Sequence, residues 1–353
     1  MRRLIGSGRG FFSLLALAVV ACGATGGSDE NQNETADELD LTRDATPLLP
    51  APSGPAAKRA IVLAHGFNAS TTNAWSYYGV AEALAKEHPV VVKAEVPPFA
   101  SPRTRADYLA KDVDRALAQC KNTAGCDASG VHLIAHSMGG LDARVLIGTL
   151  HYGDRIKTLT TIASPHHGTA IADAVLGLIP PVADGAVDAL AALFARTFTT
   201  DELANDADVR GALSGLAEKN AADFERDNPM DPRVYVQSYA GVSGVVGGWL
   251  RDEDKKACEG KLVSFKNRSD KMDLRLVPVA PFVAHGLELR PNDGMSTVES
   301  AKLGEFKGCV PANHYGEIGQ PKLEGLDRWT GWDHVRFYRT VAFDLARRDQ
   351  NER

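Results

Sequence analysis

Ser137 stands in the run VHLIAHSMGGLDAR (131–144), with Ala135 two residues before it and Gly139 two after. The run opens as an apolar strand and closes as a helix former, so the serine falls on the turn between them. In a parallel sheet such a turn lies at the carboxyl edge, where ligands bind. Strand and helix crowd it, and small residues on both sides let the serine stand clear. A serine in a polar turn is more often a helix cap. It becomes a nucleophile for acyl transfer when a histidine takes its proton and a carboxylate orients that histidine. Downstream, Asp293 sits in an Asn-Asp-Gly turn and His314 in CVPANHYGEIGQ, in the order serine, acid, histidine. Competing groups are Asp333 and His334 in GWDHVRF, Asp270 and Asp273 in RSDKMD, and His166 and His167 in SPHHG. Asp333 is expected to cap the last amphipathic helix, DHVRFYRTVAFDLA.

The elements that must position these residues alternate along the chain. AIVLA (60–64), PVVVKAE (89–95), VHLIA (131–135), KTLTTIA (157–163) and RVYVQSYAG (233–241) read as buried strands. RADYLAKDVDRALAQC carries a helical stripe at Leu109, Val113, Ala116, Leu117 and Cys120. Strands alternating with helices imply an α/β fold, a mostly parallel sheet with helices on both faces. Between the fourth and fifth strands lies an insertion, roughly residues 171–232, in which AVLGLIPPVADGAVDALAALFARTF is dominated by apolar groups without a strand pattern.

At this point a resemblance enters. The serine turn resembles the nucleophile elbow of the α/β-hydrolases, with alanine in place of the first glycine of G-x-S-x-G. LAHGF, HLIAHSMGGLDAR, TIASPHHGT, PNDGMSTVESAKLG and NHYGEIGQ resemble, in order and spacing, the secreted bacterial triacylglycerol lipases of the Pseudomonas and Burkholderia type, over about 60–320. The resemblance implies a catalytic triad of Ser137, Asp293 and His314. It implies an oxyanion hole made by the backbone N–H groups of Phe67, in the His65-Gly66 loop, and Met138. It makes SPHHG a structural loop and the insertion a lid; a fixed, buried helical cap is the alternative. The substrate class it implies is a lipid ester, with a phospholipase, thioesterase or polyester depolymerase as alternatives that share the elbow. A lipid-anchored binding protein on a dead hydrolase fold would have a damaged triad. The family often holds calcium through an aspartate two residues after the catalytic histidine. That position is Gly316 here, although Gln320 matches a position that supplies a backbone carbonyl and Glu317 is adjacent; no cofactor is expected, with a structural calcium as the alternative. The resemblance also admits a dedicated folding chaperone as a partner.

The N-terminus is read apart from the fold. Arg2 and Arg3 precede an apolar run, Phe11–Ala21, too short to span a membrane and suited to a signal peptide over 1–21. Val19-Val20-Ala21-Cys22 looks like a bacterial lipobox, which would make Cys22 the lipidated first residue; an ordinary signal peptide is the alternative. Gly23 after it favours the outer membrane or cell surface. Residues 22–58, rich in glycine, polar and acidic residues and then proline, read as a flexible tether, and 59–350 as the hydrolase domain. The remaining cysteines, Cys120, Cys126, Cys258 and Cys309, allow three pairings. The short polar loop KNTAG favours Cys120–Cys126, leaving Cys258–Cys309; buried free thiols are the alternative in an exported chain. A net charge of −6 and the lack of a basic stretch argue against nucleic acid as a partner.

Overall fold

The computed structural model describes residues 49–67, 69, 76–177, 208–263, 266–320 and 326–351. Six strands build the main sheet: β1 (Ala60–Ala64), β2 (Val91–Lys93), β3 (Val131–His136), β4 (Ile156–Ile162), β5 (Tyr235–Gly241) and β6 (Glu305–Val310). Their order is β2-β1-β3-β4-β5-β6, and every neighbouring pair is parallel. The helices are α1 (Val80–Leu84), α2 (Pro102–Lys121), α3 (Gly139–Gly148), α4 (Ala170–Val175), α5 (Val209–Leu216), α6 (Ala221–Asp227), α7 (Asp252–Ala257), α8 (Ala280–Val283) and α9 (His334–Asn351).

Period-two alternation sorts the strand side chains onto two faces. Val62, Leu133 and Ala135 pack with Leu109 and Val113 of α2 and Leu146 of α3. Ile61, Leu63 and Ile134 pack on the opposite side with Leu84 of α1 and Phe337, Tyr338 and Val341 of α9. Every residue of β1 and β3 is buried, His132 and His136 included, and β1 reads as an unbroken apolar run. In α2, Ser101 caps the first turn by accepting from the Thr104 N–H, and Pro102 occupies the first helical position. Of its expected stripe, Leu109, Val113, Ala116 and Cys120 are fully buried, while Leu117 is only partly so.

The five expected strands are present, and β6 adds a sixth that the pattern did not announce. Lys307 and Gly308 break its hydrophobic periodicity, and the pairing with β5 shifts register at Ser238/Tyr239. Gly308 sits at φ 129°, and a Cβ there would lie 2.3 Å from the Lys261 carbonyl oxygen. Both disulfides form with the expected pairing: Cys120–Cys126, Cα atoms 5.2 Å apart, and Cys258–Cys309, 5.5 Å apart. The second joins the end of α7 to β6.

Residues 49–58, read from sequence as the end of a tether, lie along α9. Arg336 donates to the Leu49 carbonyl, Arg347 to the Ser53 carbonyl, and the Ala57 N–H to His88 Nδ1. Cys22 and the rest of the expected signal and tether segments lie outside the described residues. So does 178–207, most of the apolar stretch of the insertion. The described parts of that insertion are its flanks, most of α4 together with α5 and α6.

Candidate active site

β3 ends at His136 and α3 begins at Gly139, so Ser137 must reverse the chain within a single step. It does so at φ 56°, in the left-handed region, which costs a non-glycine residue about 1–3 kcal/mol and persists only where surroundings enforce it. The Ser137 N–H donates to the Ile162 carbonyl of β4, and the Ser137 carbonyl accepts from Gly140. The small flanking residues now have a geometric cause. A Cβ on Gly139 would lie 2.7 Å from the Ala64 carbonyl oxygen and 2.8 Å from that of His65, and one on Gly66 would lie 2.7 Å from Ser137 Cβ. The loop after β1 is thus pressed directly onto the serine.

His314 approaches from the loop after β6. Its Nε2 lies 2.9 Å from Ser137 Oγ and its Nδ1 2.8 Å from Asp293 Oδ2. The hydroxyl donates to Nε2, and the Nδ1–H donates to the carboxylate, which fixes the tautomer. Asp293 is fully buried. Its other oxygen, Oδ1, accepts from the N–H groups of Met295 (2.8 Å) and Ser296 (2.7 Å), and its backbone carbonyl accepts from the His314 N–H (2.9 Å). Acid and histidine are therefore locked to each other through side chain and backbone alike.

Met138 follows Ser137 at the positive end of α3, and Phe67 follows Gly66 in the loop pressed onto the serine. The Phe67 ring meets Phe99 edge-on at 5.3 Å between centroids. A cluster of Met138, Leu141, Ala172, Leu213 and Leu216, with Phe67 at its edge, brings α5 over this side of the site.

Two buried polar groups brace the site in ways the sequence reading did not foresee. The first is the buried pair Arg105–Asp142. Arg105, fully buried on α2, donates through Nη2 to the carbonyls of His65 (2.7 Å) and Gly66 (3.2 Å) and through Nη1 to Pro97 (2.9 Å). Its Nε donates to Asp142 on α3 (2.8 Å). One guanidinium thus ties the loop bearing Phe67 to the helix bearing Met138. Burial pushes Asp142 up to about 7, with Arg105 opposing the shift. His65, also buried beside Arg105, is held down at about 3 by burial first and that guanidinium second; it is neutral, and its Nδ1 lies 3.0 Å from the Gly66 carbonyl oxygen. The residues Arg105 and Asp142 are visible in the sequence, but only as polar members of amphipathic helices.

The second is Glu317. The single 3-10 turn Gly316–Ile318 brings it to the same side of the loop as His314. It is fully buried, with Oε2 2.9 Å from His136 Nε2 and 3.9 Å from His314 Nδ1. Burial, and then the neighbouring Asp293 carboxylate, raise it well above the usual carboxylate range. Burial and His314 lower His136 well below the usual histidine range. This environment favours the protonated form of Glu317, whose O–H would donate to His136. The three-residue spacing from His314 was the signal for it.

The competing residues are engaged elsewhere. His334 Nε2 lies 2.8 Å from the Tyr78 carbonyl, and Asp333 caps α9 by accepting from the Arg336 N–H. His166 Nε2 meets Thr161 Oγ1 at 3.1 Å, His167 is exposed, and Asp273 pairs with Arg275. Asp270 Oδ2 accepts two hydrogen bonds from Asn313, from N (2.9 Å) and Nδ2 (2.7 Å), and so braces the histidine loop directly. At the calcium position that the resemblance implies, Gly316 brings no carboxylate. Among the described residues the one cluster with metal-ligand spacing is His136, His314 and Glu317, which coincides with the hydrogen-bonded groups just described.

Fold and site together define an α/β-hydrolase with a serine–histidine–aspartate arrangement at the carboxyl edge of its sheet. Within that class the chain is similar in sequence to triacylglycerol lipases. One from Vibrio cholerae is 29% identical over 292 residues, 80% of this chain and 86% of that protein. One from Burkholderia plantarii is 29% identical over 201 residues, 54% of this chain and 53% of that protein. Triacylglycerol lipase 2 of Saccharomyces cerevisiae is 24% identical over 283 residues, 77% and 73% of the two chains. A family model described as palmitoyl protein thioesterase matches residues 60–209. Among solved structures, Staphylococcus hyicus lipase superposes with a TM-score of 0.57 at 18% identity, covering 86% of this chain and 99% of that one. The metagenomic carboxyl esterase MGS0156 gives 0.56 at 15%, covering 86% and 79%. These structures share the fold. The resemblance to bacterial lipases read from the motifs stands.

Proposed function

We propose that the protein hydrolyses carboxylic esters of lipids through an acyl-enzyme on Ser137, most directly as a triacylglycerol lipase or carboxylesterase. The observation that carries this is the hydrogen-bond chain Ser137–His314–Asp293 at the turn between β3 and α3. In the first step His314 Nε2 takes the hydroxyl proton as Oγ attacks the ester carbonyl. Asp293 holds the Nδ1–H tautomer and stabilises the imidazolium. The oxyanion is stabilised by the N–H groups of Phe67 and Met138. The imidazolium then gives its proton to the leaving alcohol, and water activated by the same histidine releases the acid.

The apolar wall formed by Phe67, Met138 and Leu213 supports an acyl group beside Ser137. Each buried methylene contributes up to about 0.8 kcal/mol. Longer chains are therefore favoured until the groove ends. The insertion between β4 and β5 serves as a lid over the site, with a fixed helical cap as the alternative. Residues 1–21 direct export and Cys22 carries a lipid that tethers the enzyme to the outer membrane or cell surface; Cys22→Ser then abolishes fatty-acid incorporation. The thioesterase alternative draws on the family match over 60–209, a stretch that holds the elbow but neither Asp293 nor His314.

A substrate panel tests the proposal: tributyrin across its solubility limit, p-nitrophenyl esters from two to sixteen carbons, a diacyl phospholipid and palmitoyl-CoA. Glyceride hydrolysis that rises when droplets form supports lipase and lid together. Turnover of the thioester or the phospholipid without glycerides would move the substrate class to that alternative.

A further inference from the structure

Among the described residues, large apolar side chains left in solvent gather in one part of the chain, the excursion between β5 and Asp293. Val246 is 84% exposed, Trp249 68% and Leu289 58%, with Val245 about half exposed beside them. All four wall one cavity of about 360 Å3, so they form a continuous face rather than scattered surface residues. Exposed apolar groups on one face mark a surface meant to be covered.

Four further observations bear on what covers it. The Arg268 guanidinium lies 4.1 Å from the Trp329 ring centroid and 5.5 Å from that of Trp249. Such amphipathic aromatic and arginine groups suit a boundary with an apolar side and a wet, anionic side. Arg251 and Arg290 line the same cavity with their side chains about half exposed. Each also pairs with a carboxylate, Asp254 and Glu288, so attraction to anions is moderate. The excursion, residues 243–290, carries nine Lys and Arg against seven Asp and Glu, in a chain whose net charge is −6. Its charge is thus opposite to that of the remainder. Finally, Val279 and Val283 pack on Ile171 of α4, the helix that leads into the proposed lid.

We propose that this excursion is a lipid-docking face. It seats on the surface of an anionic phospholipid bilayer, with Val246, Trp249 and Leu289 among the acyl chains and the arginines at the phosphate level. The proposal rests on the lipid-ester reading and deepens it, since it holds the enzyme at a lipid–water boundary.

The test uses the full chain and vesicles of phosphatidylcholine with 30% phosphatidylglycerol, both with brominated acyl chains, and reads tryptophan emission. Wild type should be quenched, and Trp249→Phe should remove most of the quenchable emission. Val246→Asp combined with Leu289→Asp should weaken vesicle affinity tenfold or more and lower the rate on emulsified tributyrin. The same double variant should leave the rate on soluble p-nitrophenyl butyrate unchanged. Quenching is read at Trp249 and compared between variants, so attachment by the N-terminus does not account for a difference. Equal quenching in the double variant, or none at Trp249, overturns the proposal. A wild-type dimer that becomes monomeric in the double variant, without quenching, overturns it in favour of a second copy on this face. Variant-sensitive quenching without turnover of any lipid ester in the substrate panel supports the face and removes the lipid-ester reading instead.

Discussion

At the residue scale the site is over-determined, and each lock predicts a different loss. His314 bridges hydroxyl and carboxylate at 2.9 and 2.8 Å, and groups that act as a unit fail together. His314→Ala should therefore lose about as much kcat as Ser137→Ala, roughly 10³-fold or more. His334→Gln, which keeps a donor for the Tyr78 carbonyl, should stay within about tenfold of wild type per folded molecule. Steady-state rates on p-nitrophenyl butyrate decide between the two histidines. Glu317 makes a pH prediction. Folded, it keeps a proton that the unfolded chain releases above a pKa of about 4.3. The folded state therefore binds more protons over the range above that value, and stability falls as pH rises toward the folded pKa. Glu317→Gln removes this slope while its amide still serves His136. The variant should be more stable than wild type at pH 8, less so at pH 5, with activity retained. Asp142 contributes a slope of the same sign up to about 7 in both proteins, so the difference between their thermal melts isolates Glu317. A difference that does not grow with pH would show Glu317 ionised in the folded state.

At the element scale, three segments after three different strands must meet within hydrogen-bond distance. The turn after β3 was legible because crowding restricts it to small residues, and sequence shows that restriction. The triad segments were legible through motif and order. The sixth strand was not, because a glycine bulge and a lysine interrupt its period and its pairing with β5 is set by tertiary contact. Arg105 was hidden for a related reason: its four hydrogen bonds reach backbone carbonyls and a carboxylate on other elements, which no local pattern records. Lysine cannot reproduce that planar fork. Arg105→Lys should loosen the loop that carries Phe67 and lower kcat by about 10²-fold, the scale of losing an oxyanion donor, with a smaller change in KM. An unchanged kcat would mean the loop holds its position without the guanidinium. Arg105→Met together with Asp142→Leu should restore stability, since both charges leave the core, but not kcat.

At the scale of the whole molecule, the sheet is closed at the ends remote from the site by other devices. Arg59, at the entry to β1, and His132 of β3 both bond Asp349 near the end of α9. The residues before β1, from Leu49, run back along that helix. The α/β class and five of the six strands of the main sheet followed from periodicity; the docking of 49–58 did not, because proline-rich composition reports weak intrinsic order and not a partner surface. The two disulfides act over different lengths. They close loops separated by 6 and 51 residues, which in the chain-entropy account are worth about 2 and about 4 kcal/mol. Replacing Cys258 and Cys309 by alanine should lower Tm more than replacing Cys120 and Cys126, as differential scanning calorimetry would show. The Cys258–Cys309 bridge also holds β6, from which the His314 loop emerges, so its loss should reduce activity below the melting range.

The central claim is a covalent one, that Ser137 accepts the acyl group with His314 as its base. A p-nitrophenyl phosphonate reacts only with an activated serine and leaves a stable adduct. Incubated with the full chain, digested and read by mass spectrometry, it should place one adduct on the peptide containing Ser137. Release of p-nitrophenol should be stoichiometric with the loss of esterase activity. Labelling should vanish in Ser137→Ala and slow by roughly 10³-fold in His314→Ala. An adduct on any other residue, or full esterase activity with Ser137 blocked, would contradict the account.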